Sequence, residues 1–281
     1  MLTPFSDLLA RRRHGSAVGA FTCYDLETAG ATLRAAASAG AGVVLLIGGP
    51  SYRERDGGLL LAALLAVAAH SDARACVQLD HCDDLAVIEA ALEAGAGAVL
   101  ADGSALAFEQ NIEFVARAAG LARRHGASVE AELGGIAGNE DVAEAVAAGA
   151  LTDPAQSADF VARTGADCLA VSIGNVHGAY LERPRLDWDR LEAIRSAIET
   201  PLSLHGASGI PDELLRRSIA TGVAKVNVNT ELRGAYLDAT RQNLTSVLQG
   251  SRLNALHAAQ SAAVERVIAD KLRVFDTGER E

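Results

Sequence analysis

Eight short apolar runs recur along the chain, and each gap between them is long enough for one helix. This constrains the fold more than any other feature. The runs are AVGAFT (17–22), GVVLLIG (42–48), ACVQLD (75–80), GAVLAD (97–102), SVEAEL (128–133), CLAVSI (168–173), LSLHG (202–206) and AKVNVN (224–229). Most are continuous rather than alternating, the pattern of parallel strands covered on both faces. Helical patterns lie between them. DLETAGATLRAAASAG and DLAVIEAALEAGAG end on glycine, and FEQNIEFVARAAGLARRHG turns basic before its glycine. PDELLRRSIATG opens on proline and acids and stops at glycine. Eight βα repeats in 281 residues predict an α/β protein, a (β/α)8 TIM barrel spanning 1–281 as one domain. The competing doubly wound sheet wants a glycine-rich nucleotide loop after its first strand, and FTCYDLE is not one. SRLNALHAAQSAAVERVIADKLRVF reads as an additional C-terminal amphipathic helix.

Composition narrows the partners. A net charge of −11 argues against nucleic acid or an anionic membrane surface. No apolar run approaches the roughly 20 residues that span a bilayer. The start, MLTPFSDLLARRRHG, lacks the apolar centre of a signal peptide, so a cytoplasmic setting is expected. Cys23, Cys76, Cys82 and Cys168 form no C-x-x-C pair and are expected to stay reduced.

In such a barrel, function gathers at the C-terminal ends of the strands. Those ends carry Asp80 and His81, then Asp102, then Glu132, then His177 in GNVHG, His205 in LHGASG and Asn227 in NVNT. Three of the seven histidines fall there; His14, His70, His125 and His257 sit in or beside helices and read as surface residues. One such histidine alone reads as a strand cap or a partner for a carbonyl. Three together, beside several carboxylates, suit zinc with a fourth position left for substrate. Such an ion can polarise a carbonyl. In VQLDHCDD, Cys82 reads as a plain thiol, and Asp83 or Asp84 is available to cap the next helix. HGASG (205–209) and NVNTEL (227–232) each lead into a helix, and their backbone N–H groups suit an anion. Loops at these two positions commonly hold phosphate in barrels. After the fifth strand, Gly134, Gly135 and Gly138 predict a mobile loop carrying Glu140 and Asp141. A mobile acid over a metal site suggests proton transfer on closure, whereas without the metal the loop reads as solvated surface.

These residues resemble the class II, metal-dependent ketose-bisphosphate aldolases, the fructose- and tagatose-bisphosphate aldolase family. The likeness runs from MLTPFSDLLARRR to DKLRVF through LDH, ADGS, VEAELGGIAGNED, TDPAQSADFVARTGADCLAVSIGNVHGAY and LHGASGIPDELLRRSIATGVAKVNVNTELR. The resemblance implies zinc held by His81, His177 and His205, with Glu132 near the metal and Asp102 as a further accessory. Zinc would stabilise the enediolate of dihydroxyacetone phosphate, Asp80 would be the acid–base group at the aldol hydroxyl, and Asn227 would contact the enediolate. Glu140 matches the acid for proton exchange at the nucleophilic carbon. Gly178, Gly206, Ser208, Asn229 and Thr230 match positions around the phosphate. The family also implies a monovalent cation (Na+ or K+) and a homodimer or homotetramer.

The departures concern phosphate. Family members commonly read HGAYK where this chain has Leu181, and LHGGSG where it has Ala207. Thr22 replaces a common asparagine, and Gly48 lies where a serine is usual. The DPR element, whose arginine grips the far phosphate, is not recognisable around Arg252, Leu253 and Asn254. Losing one charge-assisted phosphate contact costs about 1.5–3 kcal/mol. The expectation is therefore a metal-dependent aldolase whose sugar-phosphate substrate has shifted from fructose 1,6-bisphosphate. The alternatives are a sugar-phosphate-binding barrel without catalysis and an isomerase or epimerase using the same enediolate.

Overall fold

The eight apolar runs become eight strands: β1 (Val18–Thr22), β2 (Gly42–Gly48), β3 (Arg74–Cys82), β4 (Ala98–Ala101), β5 (Ser128–Leu133), β6 (Cys168–Val171), β7 (Leu202–Leu204) and β8 (Val223–Val228). All pair in parallel and close in the order β1-β8-β7-β6-β5-β4-β3-β2, with Phe21 beside Leu45 on one side and Val228 on the other. The fold is the expected (β/α)8 barrel. The computed structural model describes residues 1–54, 56–138, 145–146 and 149–276.

Side chains alternate across each strand. On β3, Ala75, Val77 and Leu79 pack outward in the main apolar core with the helices, as do Val129, Ala131 and Leu133 on β5. The barrel interior begins with a small apolar tier including Val18, Ala20, Val44, Leu46 and Cys76. Phe5, Leu8 and Leu9 of the helix Phe5–Ala10 join this tier. Farther along the strands the buried residues between the outward ones turn polar: Gln78 and Asp80, Glu130 and Glu132, Ser203 and His205, Lys225 and Asn227.

The helices start and stop where their caps direct. Asp25 and Thr28 form a reciprocal cap on Leu26–Ala39, which ends at Gly40 with φ 63°. Asp84, not Asp83, caps Leu85–Glu93 by accepting from Ala86 N at 2.8 Å. The C-terminal helix Leu253–Phe275 is present and buries Val264, Ile268 and Leu272. A short parallel pair, Ala145–Val146 with Ala179–Tyr180, was not anticipated. The four cysteines are free and buried. Among the described residues, no helix is long and apolar enough to cross a membrane.

Candidate active site

Asp80 and His81 are adjacent, and a regular strand would send them to opposite faces. The pairing of β3 with β4 shifts instead: Leu79 lies beside Val99, but Cys82 lies beside Ala101. Three steps on one strand match two on the other, which is a bulge of one residue. His81 absorbs it with φ 46°, a left-handed conformation that costs a side chain about 1–2 kcal/mol. The bulge turns His81 toward the site beside Asp80 and returns Cys82 to the outer core. Burial raises the Cys82 thiol, consistent with a packed residue rather than a ligand. Asp83 pairs with Arg53 at the surface.

His81, His177 and His205 converge, each offering a ring nitrogen within 4.8 Å of the others. His81 lies near the end of β3, and His177 and His205 lie on the segments after β6 and β7. The loop carrying His177 is pinned at both sides. Asn175 Nδ2 donates to the carbonyls of Val171 and His205, and His177 N donates to Ala137 O at 2.8 Å. Burial, then the neighbouring imidazoles, holds His177 well below the usual histidine range.

Two carboxylates fix the other rings. His81 Nδ1 donates to Asp102 Oδ2 at 2.7 Å, and His205 Nε2 donates to Glu130 Oε1 at 2.9 Å. Burial opposes charge on both acids. His81 and Ser104 outweigh it at Asp102, and Lys225, His205 and Gln78 outweigh it at Glu130, so both stay below the ordinary carboxylate range. With those protons committed, His81 Nε2 and His205 Nδ1, 2.9 Å apart, need a proton or a metal ion between them. That arrangement calls for a cation. Carboxylate–histidine pairs are also how proteins orient metal-binding imidazoles. The donor set therefore fits a divalent metal ion. Asp102 and Glu132 each place a carboxylate oxygen near His81, with Glu132 Oε2 at 3.9 Å from its Nδ1. Burial and the charge of Asp102 push the Glu132 carboxyl up to about 8.

Asp80 is buried beside this centre and accepts from Asn227 Nδ2 at 3.2 Å. The β7 and β8 loops follow. Tyr180, on the β6 loop, joins them by donating to Gly206 O at 2.9 Å. Gly206 has φ 62°, and a Cβ there would lie 1.9 Å from the Val176 carbonyl oxygen. Ser208 Oγ accepts from Glu231 N, and Asn229 Oδ1 accepts from the Tyr24 hydroxyl at 3.0 Å. Gly178, at φ 87°, and Thr230, at the start of Thr230–Leu248, flank the same loops. Gly206→Ala is expected to lose at least about 1–3 kcal/mol of stability, the cost of forced backbone strain, in a urea titration.

A model of the family described as fructose-bisphosphate aldolase, class II, matches residues 6–280. The chain belongs to the class II fructose-bisphosphate aldolase family. It is 42% identical over 235 residues to the D-tagatose-1,6-bisphosphate aldolase subunit GatY of Klebsiella oxytoca, covering 83% of each chain. The crystal structure of the YdjI aldolase from Escherichia coli K12 superposes with a TM-score of 0.86 at 28% identity, covering 99% of this chain and 98% of that one. Fructose-bisphosphate aldolase from Campylobacter jejuni, 18% identical, shares the fold with a TM-score of 0.80 over 98% and 95% of the two chains. The protein is thus a lyase of the aldolase type.

The structure brings His81, His177 and His205 together with Asp80, Asp102, Glu132 and Asn227, while Gly178, Gly206, Ser208, Asn229 and Thr230 stand on the loops after β6, β7 and β8, and Glu140 and Asp141 lie outside the described residues. Leu181 is 64% exposed, where the family's lysine would stand. Ala207 is buried in the core, its Cβ absorbed by packing. Sequence reading missed Gln78, Glu130, Lys225, Asn175 and Tyr180. A charge two residues from a site residue inside an apolar strand, as in E-A-E and K-V-N, was the available signal for Glu130 and Lys225.

Proposed function

We propose that the chain catalyses reversible aldol cleavage of a ketose phosphate to dihydroxyacetone phosphate and an aldehyde, with zinc held by His81, His177 and His205. The observation that carries this reading is the convergence of three imidazoles, two of them backed by carboxylates, the half-buried Asp102 and the fully buried Glu130. When bound, zinc supplies Lewis-acid polarisation of a ketone oxygen. Asp80 takes the proton of the aldol hydroxyl during cleavage and returns it during condensation. Its burial and its bond to Asn227 hold it at one place beside the histidines. Glu140, on the loop after β5, exchanges the proton at the nucleophilic carbon. Asn227 orients the substrate's oxygens, while Gly178, Gly206, Ser208, Asn229 and Thr230 hold the phosphate. Glu132 and Asp102 position His81 and tune its surroundings. A sodium or potassium ion beside the phosphate belongs to the same proposal.

The cytoplasmic setting draws support from the four free thiols. A homodimer or homotetramer draws support from Leu237, Leu244 and Leu248, exposed at helical spacing along one face of Thr230–Leu248.

The exposed Leu181 supports a substrate other than fructose 1,6-bisphosphate, and the likeness to a tagatose-bisphosphate aldolase subunit points the same way. A screen of ketose mono- and bisphosphates, with and without chelator, tests this. Chelator-sensitive cleavage of a tagatose bisphosphate or a monophosphate, with weak cleavage of fructose 1,6-bisphosphate, is expected. Fructose 1,6-bisphosphate cleavage at ordinary aldolase rates would remove the shifted substrate. No chelator-sensitive cleavage of any ketose phosphate would remove the aldolase reading. Leu181→Lys is expected to raise kcat/KM for the phosphorylated substrate roughly 10- to 100-fold, matching about 1.5–3 kcal/mol for a charged hydrogen bond.

A further inference from the structure

Beneath the histidines lies a buried polar layer to which neither the family likeness nor the reading above gives a role. Glu130 Oε2 accepts from Gln78 Nε2 at 2.7 Å and pairs with Lys225 Nζ at 2.8 Å. Its other oxygen holds His205. Lys225 Nζ also donates to Asn227 Oδ1 at 2.5 Å, and Asn227 Nδ2 reaches Asp80. Gln78, Glu130 and Lys225 are fully buried, and Asp80 and Asn227 nearly so. One carboxylate thus feeds two arms. One runs through His205 to the histidine cluster. The other runs through Lys225 and Asn227 to the acid–base carboxylate.

The second arm has a definite polarity. A lysine ammonium carries donors only. It can face Asn227 through the amide oxygen alone, so the NH2 group must point toward Asp80. Burial opposes the charge on Lys225, but Glu130 and Asp80 outweigh it, and the amine is held above its ordinary range. Burying a lysine merely to fill space would be costly, since an apolar side chain of similar volume packs there without a partner.

We propose that Lys225 is a positioning residue for the aldol step: it locks the Asn227 amide so that its NH2 group holds Asp80 in place, while Glu130 separately orients His205. This inference rests on the roles given above to Asp80 and His205. Lys225 itself touches no substrate.

The test compares the zinc-loaded wild type with Lys225→Met, Glu130→Gln and the double variant. Wild-type cleavage sensitive to chelator is the control for the aldolase reading; its absence overturns that reading and not the hydrogen-bond geometry. Given that control, Lys225→Met is expected to lower kcat about 10- to 100-fold at nearly unchanged KM, with zinc affinity from chelator competition unchanged. Glu130→Gln is expected to weaken zinc affinity about 10- to 100-fold, the usual effect of removing a ligand's outer partner. Lys225→Met leaves Glu130 buried without its cation and risks poor folding. The double variant removes both charges at constant volume and relieves that. At saturating zinc, a kcat in the folded double variant well below that of Glu130→Gln alone supports positioning. Recovery in the double variant to the kcat of Glu130→Gln, or a Lys225→Met enzyme that loses zinc affinity in step with kcat, would show that Lys225 only balances charge.

Discussion

His205→Ala loses bound zinc and cleavage together. The imidazole sits at the centre of the constellation, with Nδ1 facing His81 Nε2 and Nε2 held by Glu130. Removing it leaves two imidazoles and deprives Glu130 of one of its partners. The predicted loss in kcat/KM is on the order of a thousandfold, comparable with removing a strong electrostatic stabiliser from an active site. Metal content and kinetics measured on the same preparation check it, with thermal unfolding to confirm a folded protein. Full activity in zinc-free His205→Ala protein would sink the ligand assignment.

Asp80→Asn separates metal binding from proton transfer. The carboxamide keeps the shape of the side chain and can still accept from Asn227, so zinc content should stay at the wild-type level. It cannot take the hydroxyl proton. Cleavage should fall by about 10²–10⁴-fold, the range of general acid–base catalysis, with KM little changed. Steady-state kinetics beside metal analysis read both quantities. Cleavage at the wild-type rate would remove Asp80 from the acid–base role.

The barrel was legible in the sequence because strands covered on both faces leave continuous apolar runs, and eight such runs admit few closures. The three histidines were legible because each stands at the C-terminal end of one of those runs. The bulge at His81 was not. A one-residue register shift leaves no trace in composition, and aspartate followed by histidine is equally compatible with an ordinary strand end. The structure explains how both neighbours reach one site, and why Cys82 returns to the core.

The polar layer under the site was partly legible. Glu130 and Glu132 share a face of β5, and Lys225 and Asn227 share a face of β8, but within short apolar runs such residues read as interruptions. Their pairing is long-range: Lys225 and Glu130 stand on β8 and β5 and meet only across the closed barrel. The loop bearing Glu140 was expected from Gly134, Gly135 and Gly138 and the role of Glu140 from the family likeness; the described base of that loop closes through Gly135 N donating to Ala150 O at 2.7 Å. The departure from the family's lysine was visible as Leu181, and the structure leaves that side chain largely in solvent.

The central claim is that one metal ion, held by His81, His177 and His205, is required for carbon–carbon cleavage. Titrating zinc into chelator-stripped protein, with cleavage of the best ketose phosphate as the readout, tests it most directly. The account predicts no cleavage at zero zinc and a linear return that saturates at one equivalent per chain. Undiminished cleavage by the stripped protein would contradict it.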